Sequence, residues 1–259
     1  MENTEDYKRI MGFIVPENKI KEETIISPTG KYKLVISYYK TTGWEYTCGE
    51  VFRLSDNILV CKIPRNYCDF YHAFFIKNQE EWLVTGMAYM SQTFVNLDKE
   101  QIYHDVVGEM YTETYKKGYS LCWYRMFASP DGNTLAVEAC PWGGSYSIYF
   151  FDITDISKGW PMLEEEVSDC QESAYSKPPI WNEDNTFTIY NENEYKKLGS
   201  KNYHFQDDEY HDLPELQNVD EVTIIDSWYT FERRDNKMVL KSKCESDDKI
   251  RWMKKMNEE

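Results

Sequence analysis

The sequence predicts an all-β protein built from about five repeats, and three observations support this prediction. The chain of 259 residues contains 21 Tyr, 12 Phe and 8 Trp, residue types that suit half-buried, pleated strands better than helices. Short apolar segments alternate with turn-forming residues along most of the chain. These turns also recur at a nearly constant interval.

Two of the turns have almost the same sequence, Ser27-Pro28-Thr29-Gly30 and Ser129-Pro130-Asp131-Gly132. Each lies between alternating apolar residues, a pattern that is typical of a β-hairpin. Three weaker copies of this turn place a pair of polar residues a few positions after an apolar residue. The second residues of the five pairs are separated by 50 to 53 residues, and they are Gly30, Glu80, Gly132, Asn185 and Asn236.

An interval of about 50 residues accommodates four antiparallel strands with their connections, and a fixed period of this length is typical of propellers or repeat arrays. We therefore expect a single β-propeller domain over residues 1–244, with about five four-stranded blades. A two-sheet β-sandwich is the alternative fold. The predicted repeats lie near residues 24–66, 72–107, 121–170, 178–220 and 222–244.

Three segments lie outside the regular pattern. The fifth repeat contains only a hairpin, so an N-terminal strand from residues 7–23 is expected to pair with its open edge and close the ring. Residues 191–220, rich in Asn, Glu, Asp and Lys, predict a long loop. Residues 245–259 predict a charged tail or a short helix that begins near Ser246.

The two Ser-Pro-x-Gly turns resemble the turn between the first two strands of a blade in WD-repeat and related propellers. The rest of that signature differs here: Phe151-Asp152-Ile153 and Asn96-Leu97-Asp98 stand near the place of the Trp-Asp dipeptide, and no Gly-His opens a repeat. The resemblance implies the propeller fold. It transfers no functional residue.

The formal net charge is −16, so the average surface repels nucleic acid backbones and anionic lipids. No apolar run is long enough to span a bilayer, and the first residues are acidic, unlike a signal peptide. Seven Cys form an odd set without a C-x-x-C pair. We therefore expect a cytoplasmic protein with free thiols and without nucleic acid or membrane partners.

The sequence contains no phosphate-binding loop, dinucleotide-binding motif, zinc-protease motif or serine-hydrolase elbow. We accordingly expect no cofactor and no catalytic residue. Glu138 and Asp226 are the carboxylates closest to predicted inner strands, and solvation at a strand edge explains them equally well. Cys68 and His72 could form a nucleophile and base, although ordinary packing also explains them.

His204 and His211 flank an acidic segment that includes Asp207. These three residues could together bind a divalent ion if the loop folded back on itself. An exposed acidic loop without a metal is the simpler interpretation.

Aromatic residues in the connections between second and third strands are the main indication of a binding site. They are Trp44, Tyr89 and Trp142, with Gly143 and Tyr146 beside the last of them. Exposed Trp and Tyr suit contact with a protein or stacking on a sugar ring, although each Trp could instead cover its own blade.

The leading hypothesis is a non-catalytic module that binds a protein partner through an aromatic, acid-rimmed face. The alternatives are a carbohydrate-binding or glycoside-hydrolysing propeller and a structural component of a larger, for example viral, assembly.

Overall fold

The computed structural model describes residues 5–86, 91–106, 121–141, 146–165, 177–204, 208–219, 221–246 and 249–252. Most of these residues lie in antiparallel strands, and the strands form four sheets. The all-β prediction is therefore confirmed. The number of blades and the closure of a ring stay predictions.

The strands are numbered in chain order. The first eight are β1 (Lys19–Ile26), β2 (Tyr32–Lys40), β3 (Glu45–Arg53), β4 (Leu59–Arg65), β5 (His72–Lys77), β6 (Glu80–Thr85), β7 (Ser91–Asn96) and β8 (Gln101–Val106). The next five are β9 (Leu121–Ala128), β10 (Thr134–Pro141), β11 (Ser147–Asp152), β12 (Glu164–Glu165) and β13 (Ile180–Trp181). The last five are β14 (Phe187–Leu198), β15 (Lys201–His204), β16 (Glu221–Arg234), β17 (Lys237–Glu245) and β18 (Lys249–Trp252).

Short helices complete the described part of the chain. These are α1 (Glu5–Met11), α2 (Asp208–His211) and 3-10 turns at Pro16–Asn18, Ile156–Lys158 and Pro214–Asn218. The chain divides into two compact units, Met1–Glu164 with Glu183–Asn185, and Glu165–Asn182 with Thr186–Glu259. The single domain expected over residues 1–244 stays a prediction.

The first unit contains two four-stranded meanders, β1-β2-β3-β4 and β5-β6-β7-β8. Each has the four consecutive antiparallel strands that the fold prediction requires of one repeat. A third sheet has the order β11-β10-β9. Residues 161–163 run beside β11, because Leu163 N donates to Phe150 O (2.8 Å) and Asp152 N donates to Pro161 O (2.9 Å).

Hairpin turns lie at all five predicted positions. Each turn contains a residue with positive φ, the conformation that Gly and Asn adopt most readily. These residues are Gly30, Gln79, Gly132, Asn185 and Asp235. The two Ser-Pro-x-Gly turns are also alike in detail, since Ser27 Oγ accepts from Tyr32 N (3.2 Å) and Ser129 Oγ accepts from Thr134 N (2.9 Å).

The second unit contains the strands of the fourth and fifth predicted hairpins. The hairpins β13-β14 and β16-β17 lie in one sheet, because β14 pairs with β16 from Phe187 opposite Phe231 to Lys196 opposite Val222. Much of the loop predicted for residues 191–220 is therefore strand, formed by the second half of β14 and by β15. The polar sequence of this segment predicts a loop, but pairing with the apolar strand β16 stabilises it as a strand.

Both terminal predictions differ from the structure as well. Residues 245–259 are predicted to be a charged tail or a short helix, whereas residues 249–252 form β18, which pairs with Glu221–Ile224 of β16. The alternation Lys249-Ile250-Arg251-Trp252 suits a strand. At the N-terminus, α1 replaces the start of the predicted strand, and Ile10 and Ile14 pack with Tyr39 and Cys48 instead.

Two of the apolar clusters in the described part of the first unit connect neighbouring sheets. One contains residues of the first and second sheets, Leu34, Ile36, Ile63, Leu83 and Val95 among them. The other includes aromatic residues of the second and third sheets together with Trp160, and the Trp123 and Phe151 ring centroids are 4.6 Å apart. Burial of each such large side chain stabilises the fold by about 1.5–3 kcal/mol.

Polar contacts connect the turn of one repeat to the next repeat. Asp98, after β7, accepts hydrogen bonds from Lys31 Nζ (2.9 Å), Tyr32 Oη (2.9 Å) and Glu81 N (2.8 Å). Buried Glu81 accepts hydrogen bonds from the hydroxyl and the amide of Thr29. Because such bonds have defined directions, they align the first and second sheets more specifically than apolar packing does.

The same kind of contact recurs at the later turns of the first unit. Lys77 Nζ, at the end of β5, donates to Gly132 O (3.0 Å) and Asn133 Oδ1 (2.9 Å) in the turn of the third repeat. Asp131 N donates to Asn185 Oδ1 (3.0 Å) in the turn of the fourth. The turns at Gly30, Gly132 and Asn185 are therefore also points of contact between repeats.

A buried cation forms a further connection between the first two sheets. Arg65, at the end of β4, donates to Gly86 O (3.2 Å) and to the hydroxyls of Thr85 and Thr93 in the second sheet. Thr93 Oγ1 also lies 2.7 Å from His104 Nδ1. Burial, and secondarily the Arg65 charge, lowers the pKa of His104 to about 4.

The Asp98 contact predicts the stability of one variant. Burial opposes ionisation, but hydrogen bonds from Glu81 N, Lys31 and Tyr32 hold the pKa of Asp98 below its usual value. Asp98→Asn is expected to lower the free energy of unfolding by about 1–2 kcal/mol at pH 7. The deficit should shrink as the pH falls toward the carboxyl pKa, where the wild type also loses the charge. Urea unfolding followed by Trp fluorescence measures both effects.

Glu22→Gln is the matched control for this variant. It breaks an exposed ion pair with Lys19 within one repeat, and a change below about 0.5 kcal/mol is expected. An Asp98→Asn variant as stable as this control would show that the contact between repeats contributes little.

The His104 environment predicts an acid sensitivity. The unfolded chain binds a proton on His104 near its ordinary pKa of 6.5, whereas the folded protein binds it only near pH 4. Stability should therefore fall as the pH drops from 7 to 5, by about 1–2 kcal/mol after allowance for partial exposure. His104→Gln should flatten this slope, and His72→Gln should retain it. An unchanged slope in His104→Gln, measured by unfolding at both pH values, would contradict the assignment.

Candidate functional site

The connection between β4 and β5, residues 66–71, provides the framework of the candidate site. Phe70 is buried and packs over Gly49 of β3, where an added Cβ would lie 2.3 Å from the Phe70 ring. Thr47 Oγ1 donates to Asp69 O (3.4 Å). Trp44 Nε1 donates to Asn66 O (2.7 Å). The first sheet therefore holds this connection at three points along its length.

Trp44 is thus both fixed and accessible. Its backbone amide donates to Thr41 Oγ1 (3.0 Å), which shapes the β2–β3 loop. The residue remains 44% exposed. The indole hydrogen-bonds to the β4–β5 connection, as expected if Trp44 covers its own blade. It is also partly exposed to solvent, as expected if Trp44 binds a partner.

Four tyrosines form a chain of ring contacts, and we call them the tyrosine cluster: Tyr67, Tyr71, Tyr124 and Tyr146. Ring centroids are 6.0 Å apart for Tyr67 and Tyr71, and 5.0 Å apart for Tyr71 and Tyr124, which meet edge to face. Tyr124 and Tyr146 are separated by 5.6 Å, also edge to face. Edge-to-face pairs are the favoured geometry for aromatic rings. The cluster therefore joins the β4–β5 connection to β9 and to the residue preceding β11.

The cluster combines apolar ring surface with polar groups. All four tyrosines retain partial exposure, and Tyr124 is 36% exposed. Tyr71 Oη donates to Asp69 Oδ2 (3.3 Å), and the Asp69 residue is exposed. Burial raises the pKa of Tyr71, and Asp69 raises it further. The Tyr71 hydroxyl therefore stays protonated at neutral pH and acts as a hydrogen-bond donor.

The predicted site residues are only partly represented here. Tyr146 belongs to the cluster, and Trp44 contacts the connection that contains Tyr67 and Tyr71. Tyr89, Trp142 and Gly143 lie outside the described residues. The prediction omitted Tyr67, Tyr71 and Tyr124. A local signal existed for the first two, because residues 66–71 hold three aromatic residues between two strands.

Cys68 and His72 are not arranged as an activated thiol and its base. Cys68 Sγ contacts Asp69 Oδ2 (3.6 Å), and His72 Nδ1 lies 3.0 Å from Phe70 O. Burial raises the pKa of Cys68, and the Asp69 charge raises it further. Activation requires the opposite direction of shift.

The two candidate carboxylates both have structural partners. Glu138 is buried and forms an ion pair with Arg125. Asp226 is buried and accepts a hydrogen bond from Tyr190 Oη (2.8 Å). Glu138 belongs to the first compact unit and Asp226 to the second. These contacts account for their burial without a catalytic role.

The structure does not bring the two described candidate metal ligands, His204 and His211, into one group that could hold a metal ion. The His204 ring packs against Tyr195 (5.4 Å between centroids) and the His211 ring against Tyr210 (5.5 Å), while Asp207 lies outside the described residues. Among the residues that the structure describes, no group of three or more His, Cys, Asp or Glu could hold a metal ion. No helix in the same residues is long and apolar enough to cross a membrane.

A protein of known sequence is similar to part of this chain. No family model matches the chain. The chain is 44% identical over 152 residues to an uncharacterized protein of Acanthamoeba polyphaga mimivirus, and the match covers 57% of this chain and 57% of that protein. The matched part thus spans little more than half of the length of the relative.

Two solved structures match most of the length of this chain. Kuenenia stuttgartiensis hydrazine synthase matches with a TM-score of 0.40 and 13% identity, over 84% of this chain and 64% of that one. The Pseudomonas aeruginosa periplasmic gluconolactonase PpgL matches with a TM-score of 0.36 and 10% identity, over 85% of this chain and 71% of that one. Both TM-scores are low, and neither likeness bears on the function of this chain.

The Asp69 contact predicts the reactivity of Cys68. Asp69→Asn removes the charge that disfavours the thiolate, so alkylation of Cys68 by iodoacetamide at pH 8 should become about threefold faster or more. Mass spectrometry of the digested protein measures the rate, and exposed Cys244 provides a reference thiol in the same sample. Asp56→Asn, an exposed acid elsewhere in the first unit, should leave the rate unchanged. If Cys68 were alkylated at the same rate in Asp69→Asn and Asp56→Asn, the predicted effect of the Asp69 charge would be wrong.

Proposed function

We propose that the tyrosine cluster binds a protein segment that presents Lys or Arg side chains. The observation that supports this proposal is the chain of four partly exposed tyrosine rings beside the exposed carboxylate of Asp69. Tyrosine offers a large contact area at a low cost in conformational entropy, and it is enriched in binding hot spots. The cluster therefore has the composition of a protein-binding surface.

Charge favours a basic partner. The net charge of the chain is −16, which attracts cationic segments and speeds their association. Within the protein, the Arg125 guanidinium already lies 5.6 Å from the Tyr124 ring centroid. Tyrosine rings attract cations through the negative potential of their faces. A Lys or Arg from a partner would find the same kind of ring surface close to the carboxylate of Asp69.

Rigidity also favours recognition. The connection that contains Tyr67 and Tyr71 is held by Trp44, by Thr47 and by the packing of Phe70 on Gly49. A surface that is ordered before binding loses less entropy when a partner binds. Most of the conformational entropy that is lost on binding then comes from the partner segment.

Panning a phage-displayed random peptide library against the protein tests this proposal. We expect enrichment of peptides that contain Lys or Arg next to apolar residues. By fluorescence polarisation, Tyr124→Ala should weaken the enriched peptides tenfold or more. Tyr203→Ala, at a partly exposed tyrosine of the second unit, is the matched control and should bind as the wild type does. Affinity should also fall with added NaCl.

Two outcomes would overturn the proposal. The first is a library without enriched peptides, or with peptides that bind Tyr124→Ala as tightly as the wild type. The second is a glycan array in which sugars bind in a Tyr124-dependent manner while no peptide does. That result would assign the cluster to carbohydrate binding, since tyrosine rings also stack on sugars.

A further inference from the structure

Two cysteines of the third sheet face each other across neighbouring strands. Cys122 of β9 and Cys140 of β10 are register partners, between the pairs Ala139 opposite Trp123 and Pro141 opposite Leu121. Directly opposed residues in antiparallel strands have Cα atoms about 4.5–5.5 Å apart, which is within the range that a disulfide requires. The two side chains are in hydrogen-bonding contact.

We propose that Cys122 and Cys140 are a site of reversible oxidation, at which a cross-strand disulfide joins β9 to β10. Both residues are reduced and buried in the structure, at 9% and 7% exposed. With glutathione disulfide as the oxidant, a Cys122 or Cys140 thiolate attacks one glutathione sulfur and releases a first glutathione. The second thiolate then attacks the mixed disulfide, forms the protein disulfide and releases a second glutathione. The two protein thiols lose two protons and two electrons, which the two glutathione products gain.

The geometry selects this pair among the described thiols. Cys48 and Cys61 also lie on neighbouring strands, but Cys48 is opposite Pro64 and Cys61 is opposite Val51. They are therefore offset by three residues along the strands, about 10 Å. Cys68 is engaged with Asp69, and Cys244 belongs to the second compact unit. No register partner of either Cys48 or Cys61 is a cysteine.

The burial of the pair determines how it reacts. Burial raises the pKa of the Cys122 thiol to about 12, so the thiolate is scarce at neutral pH and oxidation of the folded protein should be slow. The pair lies at the end of β9 and β10 nearest to the tyrosine cluster, and the Tyr146 hydroxyl is hydrogen-bonded to Cys140. Oxidation would thus alter a contact of one cluster residue and restrain the two strands.

Refolding in a glutathione buffer tests the proposal, because unfolding exposes the thiols and removes the slow step. Denatured, reduced protein is refolded at pH 8 in an excess of glutathione disulfide and digested with trypsin without reduction. Trypsin cleaves after Arg125, so the disulfide should appear as peptides 118–125 and 126–158 joined together. The oxidised protein should melt about 5 °C or more above the reduced form, since the bond constrains the unfolded chain.

Variants separate this disulfide from adventitious ones. Cys122→Ser and Cys140→Ser should each abolish both the joined peptides and the shift in melting temperature. Cys61→Ser, which also removes a buried thiol, should retain both. The proposal is overturned if the refolded wild type contains no joined peptides, or if Cys122 and Cys140 pair with other cysteines as often as with each other.

Discussion

Directional contacts between neighbouring repeats are the constraint on which the first compact unit depends. Apolar sheet faces can slide over each other at little cost, because burial has no preferred direction. The carboxylates of Asp98 and Glu81 remove this freedom, since each accepts hydrogen bonds from the turn region of the preceding repeat. Lys77 performs the corresponding role toward the third repeat. Small polar contacts at the turns thereby determine where large apolar faces meet.

The tyrosine cluster is a consequence of this alignment. Its members come from the β4–β5 connection, from β9 and from the residue before β11, so they meet only when three sheets are held in place. Buried Arg65 also contributes, because it connects the end of β4 to Gly86, the residue after β6, and to Thr93 of β7. Phe70 contributes from the connection itself, through its packing on Gly49. The surface is as rigid as the packing that supports it.

The polar residues considered for chemistry form structural contacts. Glu138 and Asp226, the carboxylates considered for catalysis, are themselves buried and contact Arg125 and Tyr190, respectively. Cys68 lies beside a carboxylate that disfavours its thiolate. The proposed uses of the molecule therefore rest on contact surface at the tyrosine cluster and on the opposed thiols of β9 and β10. The two are neighbours through Tyr146, which touches both.

The sequence by itself determined the strand class and the five hairpin turns, because turn formation depends on local backbone preferences of residues such as Gly30, Gly132 and Asn185. It also indicated Trp44 and Tyr146 as surface aromatics. It did not indicate the strand in the polar second half of β14, whose stability comes from pairing with β16. Only the tertiary structure brought Tyr71 to Tyr124, because sheet packing joins residues that are far apart in the chain. Cys122 and Cys140 belong to a predicted hairpin, but they lie opposite each other because of the register shift between Glu138 and Ala139, which no local pattern encodes.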